Sequence, residues 1–204
     1  RKRIKEKEIK ENIKTWEKQA SKILNFSKVK IKYNGDWLLK MTLKDILNLA
    51  SNISAAKLFQ RDMFQKRLKR GDTVWTHELL YPLLQGYDSV CLDVDLEIGG
   101  TDQVFNMLIG RELQQKIRGR EKFVLTVPMI LGLDGKQMSK TSGNTVNIAD
   151  PPQEMYGKLM ALQDNLTMSY FEPCTDLDPK RFKNLSPREL KGLLASTIVK
   201  TYHG

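Results

Sequence analysis

Apolar residues recur at spacings of three and four near the start of the chain, a pattern typical of an amphipathic helix. Over residues 1–24 the repeat is formed by Ile9, Ile13, Trp16, Ala20 and Ile23. A second repeat predicts one or two helices over 54–70, with an apolar stripe of Phe59, Met63, Phe64 and Leu68. Between them, Val29, Ile31 and Tyr33 alternate with lysines, which predicts a short strand.

The middle of the chain predicts a strand, a helix and a second strand. A helical pattern runs over 76–87, and the apolar run 92–98 is a strand that ends in two glycines. A helix over 101–117 and a strand over 123–130 follow. This order implies a parallel sheet. Beyond a glycine-rich segment at 132–143 the pattern is helical, so the fold class is α/β followed by an all-helical segment.

Composition narrows the class of protein. The chain has 204 residues, a formal net charge of +10, 40% hydrophobic residues and two cysteines. These values exclude a wholly disordered chain and suit one or two domains. No apolar run approaches the roughly 18 residues of a membrane helix. Two cysteines are too few for a disulfide scaffold, so we expect reduced thiols and a cytoplasmic location. Because residue 1 is arginine, we expect a longer reading frame.

The excess of positive charge bears on the binding partner. Such a surplus favours a polyanion, most often nucleic acid, although a generally basic surface explains it equally well. The densest cluster consists of Lys66, Arg67, Lys69 and Arg70. It is either the solvated end of a helix, where cations suit the helix dipole, or a contact for RNA.

The glycines after the first predicted central strand favour a ligand site. The segment reads Gly99-Gly100-Thr101-Asp102-Gln103, and a helix begins at once. Glycines let a ligand approach the backbone, and ligands bind at the carboxyl ends of parallel strands. Asp102 can accept hydrogen bonds from ribose hydroxyls, and Gln103 can bond a carboxylate or phosphate. A plain tight turn is the alternative.

Polar side chains also share one face of the preceding helix. Tyr81, Gln85 and Asp88 stand at positions i, i+4 and i+7. Three polar groups on one face can converge on a small polar molecule such as an amino acid. An ordinary exposed polar stripe is the alternative.

A third segment, residues 131–144, combines glycine turns with lysines and hydroxyl groups. It includes Lys136, Met138, Ser139, Lys140 and Thr141. A mobile loop of this composition can close over a triphosphate, and its ammonium groups can neutralise charge that develops on phosphorus.

These segments together resemble one family. The segment Q-M-S-K-T at 137–141 is similar to the K-M-S-K-S signature of class I aminoacyl-tRNA synthetases. Segments 81–89 (Y-P-L-L-Q-G-Y-D-S) and 99–106 (G-G-T-D-Q-V-F-N) resemble those of bacterial tyrosyl-tRNA synthetases. The family activates tyrosine with ATP and then transfers it to tRNA.

The resemblance implies a role for each candidate residue. Tyrosine would be held by Tyr81, Gln85, Asp88 and Gln103, with Asp88 accepting the phenolic hydroxyl. ATP, accompanied by Mg²⁺, would be held by Gly99, Gly100, Asp102, Met138 and Lys140. Catalytic roles in the loop would fall to Lys140, Lys136, Ser139 and Thr141. No protein-bound metal site is expected; the expected partners are tRNA(Tyr) and a second copy of the chain, paired through surface near 54–80.

The resemblance also implies a division of the chain and two departures. Residues 1–126 would be the second half of the Rossmann-like nucleotide-binding catalytic domain, and 127–204 the lysine-bearing loop and helical domain. Gln137 replaces the first lysine of the signature. The family's H-x-G-H motif and its anticodon-contacting domain are not found in the sequence. A fragment of a tyrosine–tRNA ligase is therefore favoured over a non-catalytic RNA-binding or dimerising module, and over a tryptophan–tRNA ligase.

Overall fold

The computed structural model describes residues 11, 16–139, 142–182 and 184–204. Within these residues the chain forms two compact units. One unit spans Lys32–Met129, and the other contains Ile130–Gly204 with the described residues that precede Lys32.

Helices make up most of both units. In chain order the elements are α1 (Trp16–Ala20), α2 (Gly35–Leu38), α3 (Leu43–Ala50), α4 (Ala55–Phe59), α5 (Asp62–Lys69), α6 (Thr76–Leu92), β1 (Leu96–Gly100), α7 (Val104–Arg118), β2 (Phe123–Val127), α8 (Pro152–Met160), α9 (Asp164–Cys174) and α10 (Pro187–His203). Short 3₁₀ turns lie at Thr101–Gln103 and Pro179–Phe182.

A two-stranded parallel sheet lies in the Lys32–Met129 unit. Strands β1 and β2 pair in register from Leu96 opposite Phe123 to Gly100 opposite Val127, and α7 connects them. The predicted order of strand, helix and strand is confirmed. One face of this sheet is apolar yet exposed, with Ile98 at 61% and Phe123 at 77% exposure.

Helices α6 and α7 pack closely because a glycine of each meets the other. A Cβ added to Gly86 would lie 3.1 Å from the Gly110 backbone, and one added to Gly110 would lie 3.2 Å from Gly86 Cα. Buried Leu83, Ile109 and Leu113 fill the neighbouring core. This close approach sets the distance between the polar side chains that the two helices present.

The unit that contains Ile130–Gly204 has its own core. Helices α8, α9 and α10 bury an apolar cluster that includes Leu159, Phe171 and Leu194. Helix α10 begins with a capping box, in which Ser186 and Glu189 satisfy each other's backbone amides. Pro152 and Pro187 stand at the first positions of α8 and α10, where the missing N–H of proline costs no helical hydrogen bond.

One predicted element is wrong, and another ends earlier than predicted within the described residues. Residues 29–33 form no strand, although apolar and basic residues alternate there. The helix predicted over 1–24 lies largely outside the described residues, and its described part ends at Ala20 instead of continuing to Ile23. The fold is therefore mostly helical with a small parallel sheet, a coarser form of the predicted α/β class.

Candidate active site

Four polar side chains form a hydrogen-bonded chain beside the end of β1. Asn106 Nδ2 donates to Gln85 Oε1 at 2.9 Å and to Gln103 Oε1 at 3.1 Å. Gln103 Nε2 in turn donates to Asp102 Oδ2 at 2.9 Å. Helix α6 supplies Gln85, and the turn and first residues of α7 supply the others. The structure thus brings together Gln85, Gln103 and Asp102, and links them through Asn106.

Asp88 lies one turn further along α6, with its carboxylate held by two donors. Trp37 Nε1 donates to Oδ1 at 2.8 Å, and Asn34 Nδ2 donates to Oδ2 at 3.2 Å. Asp88 and Gln85 line the same cavity of about 150 Å³. Each carboxylate oxygen has room for a further donor because it carries two lone pairs.

Tyr81 and the two glycines lie at the edge of this arrangement. The Tyr81 side chain is 57% exposed. A Cβ on Gly100 would lie 2.6 Å from Asp102 Oδ1, and a Cβ on Gly99 would lie 2.9 Å from Met107 Sδ. A side chain at either position would have to displace the Asp102 carboxylate or the core methionine, so glycine leaves both groups in place.

A buried lysine bonds two further residues of this cavity, Ser89 and Glu97. Lys122 Nζ donates to Ser89 Oγ at 2.6 Å and is ion-paired with Glu97, a lining residue of the 150 Å³ cavity. Burial lowers the pKa of the Lys122 ammonium to about 8, and the Glu97 carboxylate opposes that shift by favouring the charged form. Ser89 follows Asp88 directly, so this pair anchors α6 at the candidate site.

A larger cavity of about 790 Å³ lies on the other side of Asp102. Helix α5 contributes basic side chains to its wall, among them Lys66, Arg67 and Arg70. Arg67 is paired with Glu78, and this hydrogen bond holds the pKa of Glu78 down at about 2. In the predicted basic cluster, Arg67 is therefore tied to Glu78, while Lys66 and Arg70 line an open, positively charged cavity.

Asn144 organises the described part of the loop in the other unit. It is buried, and its Nδ2 donates to Asp134 Oδ1 at 2.7 Å. Its Oδ1 accepts from Ser139 N at 2.9 Å and from Ser142 Oγ at 2.8 Å. The hydrogen bond from Asn144 also lowers the pKa of Asp134. The described part of the loop therefore has a defined turn structure.

The predicted loop residues divide into described and undescribed ones. Lys136 and Ser139 are exposed, and Met138 packs against the core of α8–α10. Lys140 and Thr141 lie outside the described residues. The loop and the tyrosine candidates belong to different units, each described by itself, so the proposed convergence of the two groups stays a prediction.

The sequence analysis assigned no role to four residues of these networks: Asn34, Asn106, Lys122 and Asn144. Asn106 carried a usable signal, because it lies three residues after Gln103 and therefore on the same helical face. The contact between Asn34 and Asp88 joins residues far apart in sequence, and no local pattern marks it.

Nothing in the described residues forms a protein-only metal site. No three His, Cys, Asp or Glu side chains cluster there.

Burial raises the pKa of the Cys174 thiol to about 11, so this thiol stays protonated near neutral pH. Among the described helices, none is long and apolar enough to cross a membrane.

Solved structures share this fold. The chain matches the crystal structure of an Archaeoglobus fulgidus tyrosyl-tRNA synthetase complexed with L-tyrosine at a TM-score of 0.69 and 20% identity, over 96% of this chain and 70% of that one. It also matches a C-terminally truncated mitochondrial tyrosyl-tRNA synthetase of Aspergillus nidulans at a TM-score of 0.70 and 20% identity, over 100% and 66%. At this identity the matches establish the fold alone.

Curated relatives match over the sequence as well. The tyrosine–tRNA ligases of Thermotoga maritima and Ralstonia nicotianae are each 43% identical, over 97% and 96% of this chain. In both cases the match covers 52% of the relative, so the chain spans about half the length of these proteins. The family described as tRNA synthetases class I (W and Y) matches residues 1–204. The chain therefore belongs to the class I tRNA synthetases of the tryptophan and tyrosine family.

Proposed function

We propose that this chain carries part of the active site of a tyrosine–tRNA ligase, which joins tyrosine to ATP and then to tRNA(Tyr). The observation that carries the proposal is that Asp88 and Gln85 both line one small cavity. A carboxylate at one end of a cavity and an amide near the other match the hydroxyl and the polar backbone of tyrosine. The relatives named above are tyrosine–tRNA ligases, which agrees with this choice.

Asp88 is the residue that selects the amino acid. Its two donors, Trp37 and Asn34, hold the carboxylate in place, and the remaining lone pairs can accept the phenolic O–H. Phenylalanine offers no donor there, and an unsatisfied buried acceptor costs about 1–3 kcal/mol. Tryptophan offers an indole N–H instead, on a ring of different shape. The site therefore favours tyrosine over both.

Gln85 and Tyr81 would bind the α-amino end of tyrosine, and Gln103 would lie near its carboxylate. Asp102 would accept hydrogen bonds from the ribose of ATP, where Gly99 and Gly100 permit close approach of the nucleotide. Magnesium would travel with the phosphates of ATP, since Mg²⁺ commonly binds substrate phosphates with few protein ligands.

The loop would act on the phosphates. Lys140, with Lys136, Ser139, Met138 and Thr141 around it, would stabilise the charge that develops as pyrophosphate leaves. Gln137 brings a hydrogen bond but no charge to the first position of the signature. The exposed apolar face of β1 and β2 supports the view that 1–126 is the second half of a larger Rossmann-like domain, with 127–204 as loop and helical domain.

The test of substrate choice uses the chain itself. Tyrosine, phenylalanine and tryptophan are titrated separately into the ¹⁵N-labelled chain, and Kd is read from amide shifts. We expect tyrosine to bind about 5- to 150-fold more tightly than phenylalanine, the equivalent of one unsatisfied acceptor. Asp88→Asn should remove that preference. Asp95→Asn is the matched control, because Asp95 is exposed and pairs only with Arg120 among the described residues. Equal affinities in the wild-type chain would refute the proposal.

Catalysis is tested in a chimaera that places this chain in the matching part of the Thermotoga maritima ligase. We expect tyrosine-dependent ATP–pyrophosphate exchange, slowed about 10²- to 10³-fold by Lys140→Ala, as for loss of one transition-state donor. An unchanged single-turnover rate in Lys140→Ala would refute the role of this lysine.

Because the two free cysteines suit a reducing compartment, we propose the cytoplasm as the location.

A second candidate function is RNA binding without chemistry, and the basic cavity on α5 favours it. Lys66 and Arg70 line an open cavity of about 790 Å³, and their charges suit a phosphate backbone. Binding of tRNA by this chain should weaken steeply with salt if these cations contact phosphates. A flat salt dependence would refute this candidate.

We also propose that the chain forms a homodimer through exposed apolar side chains near 54–80, such as Met63, Leu68 and Trp75. Sedimentation of the chain tests this proposal.

A further inference from the structure

Asn106 is a buried amide at the centre of the candidate site, and neither the sequence motif nor the proposed reaction gives it a role. Its side chain is 1% exposed. Both hydrogen bonds of its Nδ2 go to glutamines expected to touch tyrosine, Gln85 and Gln103. A residue that touches both without reaching into the cavity can control how they present their own amides.

The direction of these hydrogen bonds is set by a charge. Asp102 is a carboxylate and can only accept, so Gln103 must present its Nε2 to it. Gln103 Oε1 then faces Asn106 and requires a donor, which Nδ2 supplies. The second Nδ2 proton makes Gln85 Oε1 an acceptor in the same way. The carboxylate of Asp102 thus fixes the orientation of the Gln85 amide through the side-chain amides of Gln103 and Asn106.

This orientation leaves defined groups available to a ligand. Gln85 Oε1 keeps one lone pair, which can accept from an α-ammonium group, and Gln85 Nε2 stays available to donate to a carboxylate. Asp102 Oδ1 lies outside the chain of amides and can accept from a ribose hydroxyl. One hydrogen-bonded chain therefore joins the groups expected to bind the amino acid to the group expected to bind the nucleotide.

We propose that Asn106 is a positioning residue, which holds the amides of Gln85 and Gln103 in the orientation that binds tyrosine next to ATP. The inference rests on the proposed function for the identity of the ligand. The orientation itself is a property of the free chain and can be measured without any ligand.

A purely structural role is the competing explanation, and Gln114 provides the comparison. Gln114 lies on the same helix, is fully buried and donates from Nε2 to the Val94 carbonyl at 2.9 Å. Its Oε1, like Asn106 Oδ1, accepts no hydrogen bond from any residue that the structure describes. The two amides are therefore matched in burial and in an unpartnered oxygen, but only Asn106 bonds the candidate tyrosine residues.

The experiment compares Asn106→Leu with Gln114→Met, two replacements of a buried amide by an apolar side chain of similar size. In the wild-type chain, ¹⁵N side-chain spectra should show separate, slowly exchanging amide protons for Asn106, Gln85 and Gln103. Asn106→Leu should move the Gln85 signals to those of a freely rotating amide, because Asn106 is the donor to Gln85 Oε1. The Gln103 signals should change less, since Gln103 Nε2 keeps its hydrogen bond to Asp102. Gln114→Met should leave both sets of signals unchanged. Gln85 signals that stay ordered in Asn106→Leu would overturn the inference.

Tyrosine titration then separates this inference from the proposed function. Two hydrogen bonds worth roughly 2- to 12-fold each predict that Asn106→Leu weakens tyrosine binding about 4- to 150-fold, while Gln114→Met does not. Wild-type affinity in Asn106→Leu would overturn the positioning role. A wild-type chain that binds no tyrosine would instead refute the proposed function. Should Asn106→Leu fail to fold, rapid exchange of the Asn106 Nδ2 protons in the wild-type chain would overturn the inference.

Discussion

Replacing Gly86 with alanine tests whether the close approach of α6 and α7 holds the candidate site together. The new Cβ would lie 3.1 Å from the Gly110 backbone and 2.9 Å from Leu113 Cδ1. The leucine tip can rotate away, but the helix backbone cannot. Since carbon atoms prefer a separation of about 3.5–4.0 Å, the helices must part by at least about 0.4 Å.

The magnitude follows from two opposing effects. Forcing an extra methyl group into a packed interface costs about 1–3 kcal/mol, while alanine gains about 1 kcal/mol over glycine within a helix. Gly157→Ala on α8 is the matched control, because a Cβ there would meet nothing within 4 Å. We expect Gly157→Ala to stabilise its unit by about 1 kcal/mol, and Gly86→Ala to be about 1–3 kcal/mol worse than this control.

Hydrogen exchange measured by mass spectrometry is the suitable assay, because it reports on each of the two units separately. Amides of α6 and α7 should exchange faster in Gly86→Ala, and those of α8 should exchange more slowly in Gly157→Ala. The Gln85–Asn106 hydrogen bond of 2.9 Å should also weaken as the helices part. If Gly86→Ala protects α6 as Gly157→Ala protects α8, the inferred packing of the glycines is wrong.

Two further predictions concern acid stability and the loop. The hydrogen bond from Arg67 lowers the pKa of Glu78 from 4.5 to about 2, so its contribution to stability is present above pH 4.5 and is lost as the pH falls towards 2. Glu78→Gln should therefore make stability, followed by circular dichroism, depend less on pH in this range. An unchanged pH profile would contradict the pairing. Asn144→Ala should cost about 1–3 kcal/mol by removing the hydrogen bonds of its buried amide to Asp134, Ser139 and Ser142. It should also speed exchange over 132–139. The exposed Asn184→Ala should do neither, and equal effects would contradict the role of Asn144.

The central strands could be predicted because local sequence and tertiary structure agree there. Apolar runs at 92–98 and 123–130 flank an amphipathic helix, and the paired strands Leu96–Gly100 and Phe123–Val127 form there, although Leu92 belongs to α6. At 29–33 the alternating residues pair with neither of the described strands, and an isolated strand has little stability in water. Local pattern alone therefore overestimated the strand content.

The candidate site was only partly accessible from sequence. Side chains on one helix face, such as Gln85 and Asp88, are found by their spacing. The donors that hold them, Asn34 and Asn106, reach them across the fold, and their positions depend on how closely two glycines let α6 and α7 pack. The glycine-rich composition of 131–144 predicted a mobile loop. Asn144 instead organises its described part through side-chain hydrogen bonds that the composition does not reveal.

The central claim is that the residues around Gln85 and Asp102 form one site for an amino acid joined to a nucleotide. Its most direct test is to titrate the ¹⁵N-labelled chain with a non-hydrolysable analogue of tyrosyl-adenylate and to map the amide shifts. We expect the shifts to concentrate at Gln85, Asp88, Gly100 and Gln103, with tighter binding than tyrosine alone. Shifts confined to the basic cavity near Lys66, or no shifts at all, would contradict the account.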